Sequence, residues 1–176
     1  LRLSEKDGDP NSTDASYWRI LFCPAGPGHV LYLKSELTEN KWRIYSDNIA
    51  MARWLQQTVQ GMLNAELKDT SIPVVDADFS KAGDPRYYWT EYVSAADAEI
   101  SLTWHDIGDP LLIHTEPNQP PNPRPYGVCT VLVPALSGRL TLNGEQARGK
   151  PWPRDREGRP FSTSALAFSE SWTETR

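Results

Sequence analysis

Apolar and polar side chains alternate in short runs along most of the chain, the pattern a strand needs when one of its faces is buried. In 16–23, SYWRILFC, Trp18, Ile20 and Phe22 alternate with Tyr17, Arg19 and Leu21. A Pro/Gly turn, PAGPG, then leads into the run 29–37, so these two segments read as a hairpin. Further strand-like runs follow at 41–46, 72–80, 86–94, 99–107, 110–116, 127–135, 138–144 and 164–172. The period changes only between Asn48 and Asn64. There Met51, Trp54, Leu55, Thr58 or Val59, Met62 and Leu63 recur at three- and four-residue steps, which predicts one long amphipathic α-helix with Ser46 or Asp47 placed to cap it.

Many short strands joined by turns of Gly, Pro, Asn and Asp predict a mostly β domain, an antiparallel barrel or sandwich, with this helix against one face or one end. Residues 1–15 are polar and aperiodic and read as a flexible N-terminal segment, leaving 16–176 as a single β-rich domain. The proline-rich stretch 116–125 suits an extended connection, and 149–160, with charges of both signs, a solvated loop.

Composition narrows the partners. The net charge of -5 argues against nucleic acid, which calls for a clustered positive field. No apolar run is long enough for a membrane helix, and the first sixteen residues lack the apolar core of a signal peptide. Cys23 and Cys129, each inside an apolar run, read as buried free thiols of a reducing, cytoplasmic setting, although neighbouring strands would let them pair. Seven Trp and seven Tyr suit a core and equally the walls of a small-molecule pocket. Nothing in the sequence excludes a homo-oligomer.

Candidate chemistry concentrates in 86–116. If SAADAE is a turn, Ser94 faces Glu99, Tyr92 faces Ser101, Thr90 faces Thr103 and Tyr88 faces His105. A second tight turn at Gly108 and Asp109 would set Thr103 opposite His114 and Ser101 opposite Glu116. One face of the resulting three-strand patch would carry Tyr88, Tyr92, His105, His114 and Glu116 without any Lys or Arg. The other would carry Trp89, Val93, Leu102 and Trp104. Two imidazoles and a carboxylate in that array could act as general acid and base, or hold one divalent metal, Zn or Fe. A one-residue bulge at the second turn would scatter them.

Two glutamates break the apolar face. Glu91 lies between Trp89 and Val93, and Glu170 between Phe168 and Trp172. A buried carboxylate demands a partner or a lined cavity, and Arg19 and Arg43 sit in strands that could supply one. The sequence therefore predicts a small-molecule enzyme acting on an apolar or aromatic substrate. His105, His114, Glu116 and Glu91 are its candidate catalytic residues, and Tyr88, Tyr92, Trp89, Trp104 and Glu170 its candidate substrate contacts. A non-catalytic β module for a carbohydrate or hydrophobic ligand, or an interaction subunit of a larger complex, is the alternative. His29, after its Gly-Pro-Gly turn, reads as exposed and uninvolved.

Overall fold

Strand pairing in the computed structural model turns the alternating runs into a closed surface. The structure describes residues 1–120 and 124–174, apart from the side chains of Phe168, Ser169 and Glu174. Part of the proline-rich stretch thus lies outside the described residues. In chain order the strands are β1 (Arg2–Leu3), β2 (Thr13–Phe22), β3 (Gly28–Ser35), β4 (Arg43–Ser46), β5 (Val74–Asp84), β6 (Tyr88–Ala95) and β7 (Ala98–Ile107). They continue with β8 (Leu111–Thr115), β9 (Tyr126–Leu142), β10 (Glu145–Gln146), β11 (Pro153–Arg156), β12 (Arg159–Ser162) and β13 (Ala165–Glu174).

The sheet order β2-β13-β9-β7-β6-β5-β4-β3 returns to β2 through the β2–β3 pairing, which closes an eight-stranded barrel rather than a sandwich. Closure removes the edges that a flat sheet would leave exposed. Two of the eight joints are parallel, β4 with β5 and β13 with β2. The runs 127–135 and 138–144, expected as two strands, are one long strand, β9, which serves β13 along one edge and β7 then β8 along the other.

Side-chain alternation divides the apolar residues into two cores. Tyr17, Leu31, Leu33, Tyr45, Trp89, Val93, Leu102 and Trp104 belong to the larger one, inside the barrel. Ile20, Val30, Tyr32 and Ile44 point the other way and pack against the helix through Met51, Ala52, Leu55 and Val59. That helix starts as α1 (Ile49–Leu55), passes through a π turn (Gln56–Gln60) and ends in a short second piece, α2 (Gly61–Leu63). Its cap is Asn48, whose Oδ1 accepts from the Met51 amide at 3.0 Å, rather than Ser46 or Asp47. A π turn inserts an extra residue and rotates the next turn of helix about its axis. Gln60 is consequently buried where the 3.6-residue period would place Met62 and Leu63, and those two are exposed. Among the described residues no helix is long and apolar enough to cross a membrane.

Three expectations need correction. The segment 1–15 is not a free lead-in: β1 pairs with β2, Leu1 and Leu3 are buried, and β2 already begins at Thr13. The loop 149–160 carries a two-stranded hairpin, β11 with β12. Cys129 is exposed, because it lies where only one face of the sheet is covered, whereas Cys23 is buried and both are free thiols. Burial pushes the Cys23 thiol up. Iodoacetamide at neutral pH should therefore label Cys129 in the folded protein and spare Cys23 until denaturant is added, as peptide mass spectrometry would read.

Candidate functional site

The β6–β7 hairpin has the register expected from its turn: Ser94 faces Glu99, Tyr92 faces Ser101, Thr90 faces Thr103 and Tyr88 faces His105. The second turn does not form. Asp106 takes a positive φ of 51°, the Gly108 amide donates to the Pro134 carbonyl at 2.8 Å, and the chain stays alongside β9 instead of folding back. Ile107 faces Ala135 and Leu111 faces Leu132, so four residues on this side span three of β9, which is a one-residue bulge. His114 consequently faces Cys129 and His105 faces Ser137. Their partners on β9 are eight residues apart, which at about 3.3 Å per residue of strand keeps the two histidines on the order of 20 Å or more apart.

The trio of His105, His114 and Glu116 therefore does not converge as a catalytic or metal site. His114 Nε2 and Glu116 Oε1 lie 2.8 Å apart on an exposed surface, while His105 stacks on Tyr88 with ring centroids 6.2 Å apart. Among the described residues no group of three or more His, Cys, Asp or Glu side chains is arranged to hold a metal ion. Tyr88 and Tyr92 are exposed on the outer wall.

The two glutamates have separate surroundings. Glu91, 1 % exposed in the barrel, accepts from the Tyr17 hydroxyl at 2.9 Å and the Trp89 indole N–H at 2.7 Å, and forms an ion pair with Arg19. Arg19, one of the two arginines anticipated, is thus its partner; Arg43 lies near Asp97 at 3.8 Å. Burial, with Glu91 adjacent, raises the Tyr17 hydroxyl far above its ordinary range. Both oxygens of Glu91 are engaged.

Glu170, 5 % exposed, has no ion-pair partner among the described residues. Its Oε2 accepts from the Trp172 indole at 3.1 Å. Burial pushes its pKa up to about 7, opposed in part by the Trp172 N–H and the Thr130 hydroxyl. The register between β13 and β9 shifts between Ala167 and Glu170, which turns Glu170 out of the barrel's interior toward the helix side.

A cleft opens beside it. The parallel strands β2 and β13 are joined only where Glu170 meets Ile20 and Ser171 meets Phe22. From there back to Leu1, their facing edges separate around a cavity of about 510 Å³. Tyr17, Trp18, Trp42 and Trp104 contribute to its walls, Gln60 reaches it from the π turn, and Thr130, Leu132, Ala167 and Glu170 complete one side. Trp18 also packs on Trp172, with ring centroids 6.4 Å apart, and Trp172 on Trp54 at 5.9 Å. The indole nitrogens of Trp18 and Trp104 and the amide nitrogen of Gln60 are buried without a hydrogen-bond partner among the described residues. Of the anticipated substrate contacts, Trp104 and Glu170 line this cleft; Trp89 lies within the barrel against Glu91.

Trp18, Gln60 and Thr130 carry no sequence signal that marks them as site residues. Nor does sequence reasoning find the pair formed by His29 and Asp47, where one carboxylate receives the backbone N–H of His29 at 2.6 Å and lies 2.6 Å from its Nδ1. The ring stacks on Phe79 with centroids 5.2 Å apart, at a barrel rim that also includes Arg19 and Asp76. The one usable signal is position: His29 shares the alternation of Leu31 and Leu33 and so points inward. Comparison with family models, curated proteins and solved structures found no match.

Proposed function

We propose that the chain binds a small aromatic or apolar molecule in the cleft between β2 and β13, and that Glu170 exchanges a proton with it as general acid and base. The observation that carries this reading is a cavity of about 510 Å³ whose walls include aromatic side chains and a buried carboxyl without a charged partner among the described residues. A carboxyl with a pKa of about 7 is populated in both protonation states at neutral pH, the condition general acid–base catalysis needs. Aromatic walls supply binding through area and ring contacts, and the few polar atoms supply orientation. Two free thiols fit a reducing, cytoplasmic setting.

Filling the cleft tests the assignment. Ala167→Trp should keep the fold, as read by circular dichroism, and abolish the quenching of tryptophan fluorescence by naphthalene-sized ligands that bind the parent protein. Quenching of equal depth and midpoint in the variant would place binding elsewhere. Turnover of a bound ligand that is lost in Glu170→Gln with binding retained identifies an enzyme; binding without turnover in either protein identifies a binding module.

A further inference from the structure

We infer that the ligand of this cleft is an aromatic carboxylate, and that it enters together with one proton, which resides on Glu170. This deepens the reading above and rests on it. An indole N–H can only donate, and the cleft is lined by two tryptophans, Trp18 and Trp104, whose buried N–H groups have no acceptor among the described residues. Trp104 is 1 % exposed and neither indole nitrogen touches solvent-accessible space, so an acceptor oxygen reaches them only once the ring edges shift. Unmet donors of this kind select a ligand that brings acceptor oxygens and reject one that brings only further donors. The buried amide of Gln60 adds a polar group able to pair with such an oxygen.

Charge points the same way. The charged residues lining the cleft are Arg2, Asp14, Arg156 and Glu170. Arg2 and Asp14 pair at 3.5 Å, which leaves Arg156, placed over the Phe161 ring, as a cation able to meet an entering anion. Around Glu170, β13 supplies Trp172, β9 supplies Thr130, β2 supplies Ile20 and Trp18, and the helix supplies Gln60, all uncharged. A second carboxylate beside an ionised Glu170 is opposed by like-charge repulsion, so the ligand favours the protonated form of Glu170. Binding draws one proton from solvent onto Glu170, which then donates to the ligand; no covalent bond between heavy atoms forms or breaks, and the charge of the site changes by that of one proton and one anion. Because burial already holds Glu170 near 7, this uptake costs little at neutral pH.

The probes are 2-naphthoate, ionised throughout the range, and the amine of matching shape, 2-naphthylmethylamine, titrated calorimetrically at pH 6.0 to 8.5. In the parent protein, naphthoate affinity should fall about thirtyfold across that range, and titrations in buffers of different ionisation heat should report uptake of close to one proton at pH 8. The amine should bind at least tenfold more weakly than naphthoate at pH 6. Glu170→Gln should bind naphthoate with its pH dependence removed. Trp18→Phe, which keeps a ring and loses the N–H, should weaken naphthoate while leaving the pH slope in place. A flat profile in the parent protein, or an amine that binds as tightly as naphthoate, overturns the ligand class and leaves the cleft a binding site. Failure of both probes, with tryptophan fluorescence unmoved, overturns the proposed function along with it.

Discussion

Replacing Glu91 by Ala should destabilise the protein by about 3–5 kcal/mol, the range found when one partner of a buried ion pair is removed. The loss is not only that of an attraction. Arg19 would keep its charge in a place with almost no solvent, and the Tyr17 hydroxyl and Trp89 indole would lose their acceptor, each adding the desolvation of an unmet donor. For a domain of this length, such a loss lowers the melting temperature by on the order of 10 °C. Urea unfolding at pH 7 reads the free energy directly. The pair Arg19→Met with Glu91→Leu should recover most of the loss, since an apolar substitute of similar volume has no charge to leave stranded. A Glu91→Ala variant within about 1 kcal/mol of the parent would mean that water reaches Arg19.

Glu170 should act in the opposite direction. Its carboxyl titrates at about 7 in the folded protein and near the ordinary 4.5 in the unfolded chain. Between those values the folded state holds a proton that the unfolded state has released, so stability falls as pH rises from about 4.5 to about 7 and the full penalty persists above it. At about 1.36 kcal/mol for each pKa unit, that penalty is about 3 kcal/mol. Glu170→Gln, which keeps the shape and never ionises, should thus be more stable than the parent by up to about 3 kcal/mol at pH 8 and near parity at pH 4. Denaturant titrations at the two pH values decide it. Equal stabilities at pH 8 would show that Glu170 ionises without penalty and would remove the physical basis for the proton exchange proposed for it.

Local rules made much of the fold legible. The alternation around Trp18, around Tyr88 and Trp104, and around Leu31 defines the inside and outside of strands that the barrel later closes, and the turn SAADAE sets the β6–β7 register. What was not legible depends on single inserted residues. The bulge between Ile107 and Leu111 separates His105 from His114, and the shift between Ala167 and Glu170 turns Glu170 from one core toward the other. The π turn replaces Met62 by Gln60 on the buried face of the helix. Each inserts one residue into a periodic pattern and reverses or rotates everything beyond it, and none has a composition signal strong enough to announce it. Glu91 and Glu170 stood out because a carboxylate on an apolar face violates the pattern wherever the register falls. The partner of Glu91 could be narrowed to two arginines, whereas the cleft beside Glu170 arises from a gap between strands far apart in sequence and had no local precursor.

That gap has a bearing on how the barrel is assembled. The joint between β2 and β13 brings together residues 20 and 170, while only two register pairs hold it. Closing so long a loop carries a larger entropy penalty than closing the β6–β7 hairpin, and the gain here is smaller than along the extended β9 ladders. Among the described residues, the wall of the cleft is therefore held by fewer register pairs than any other joint of the barrel. Parting those two pairs would widen the opening beside Glu170 and turn the closed barrel into an open, curled sheet with two free edges.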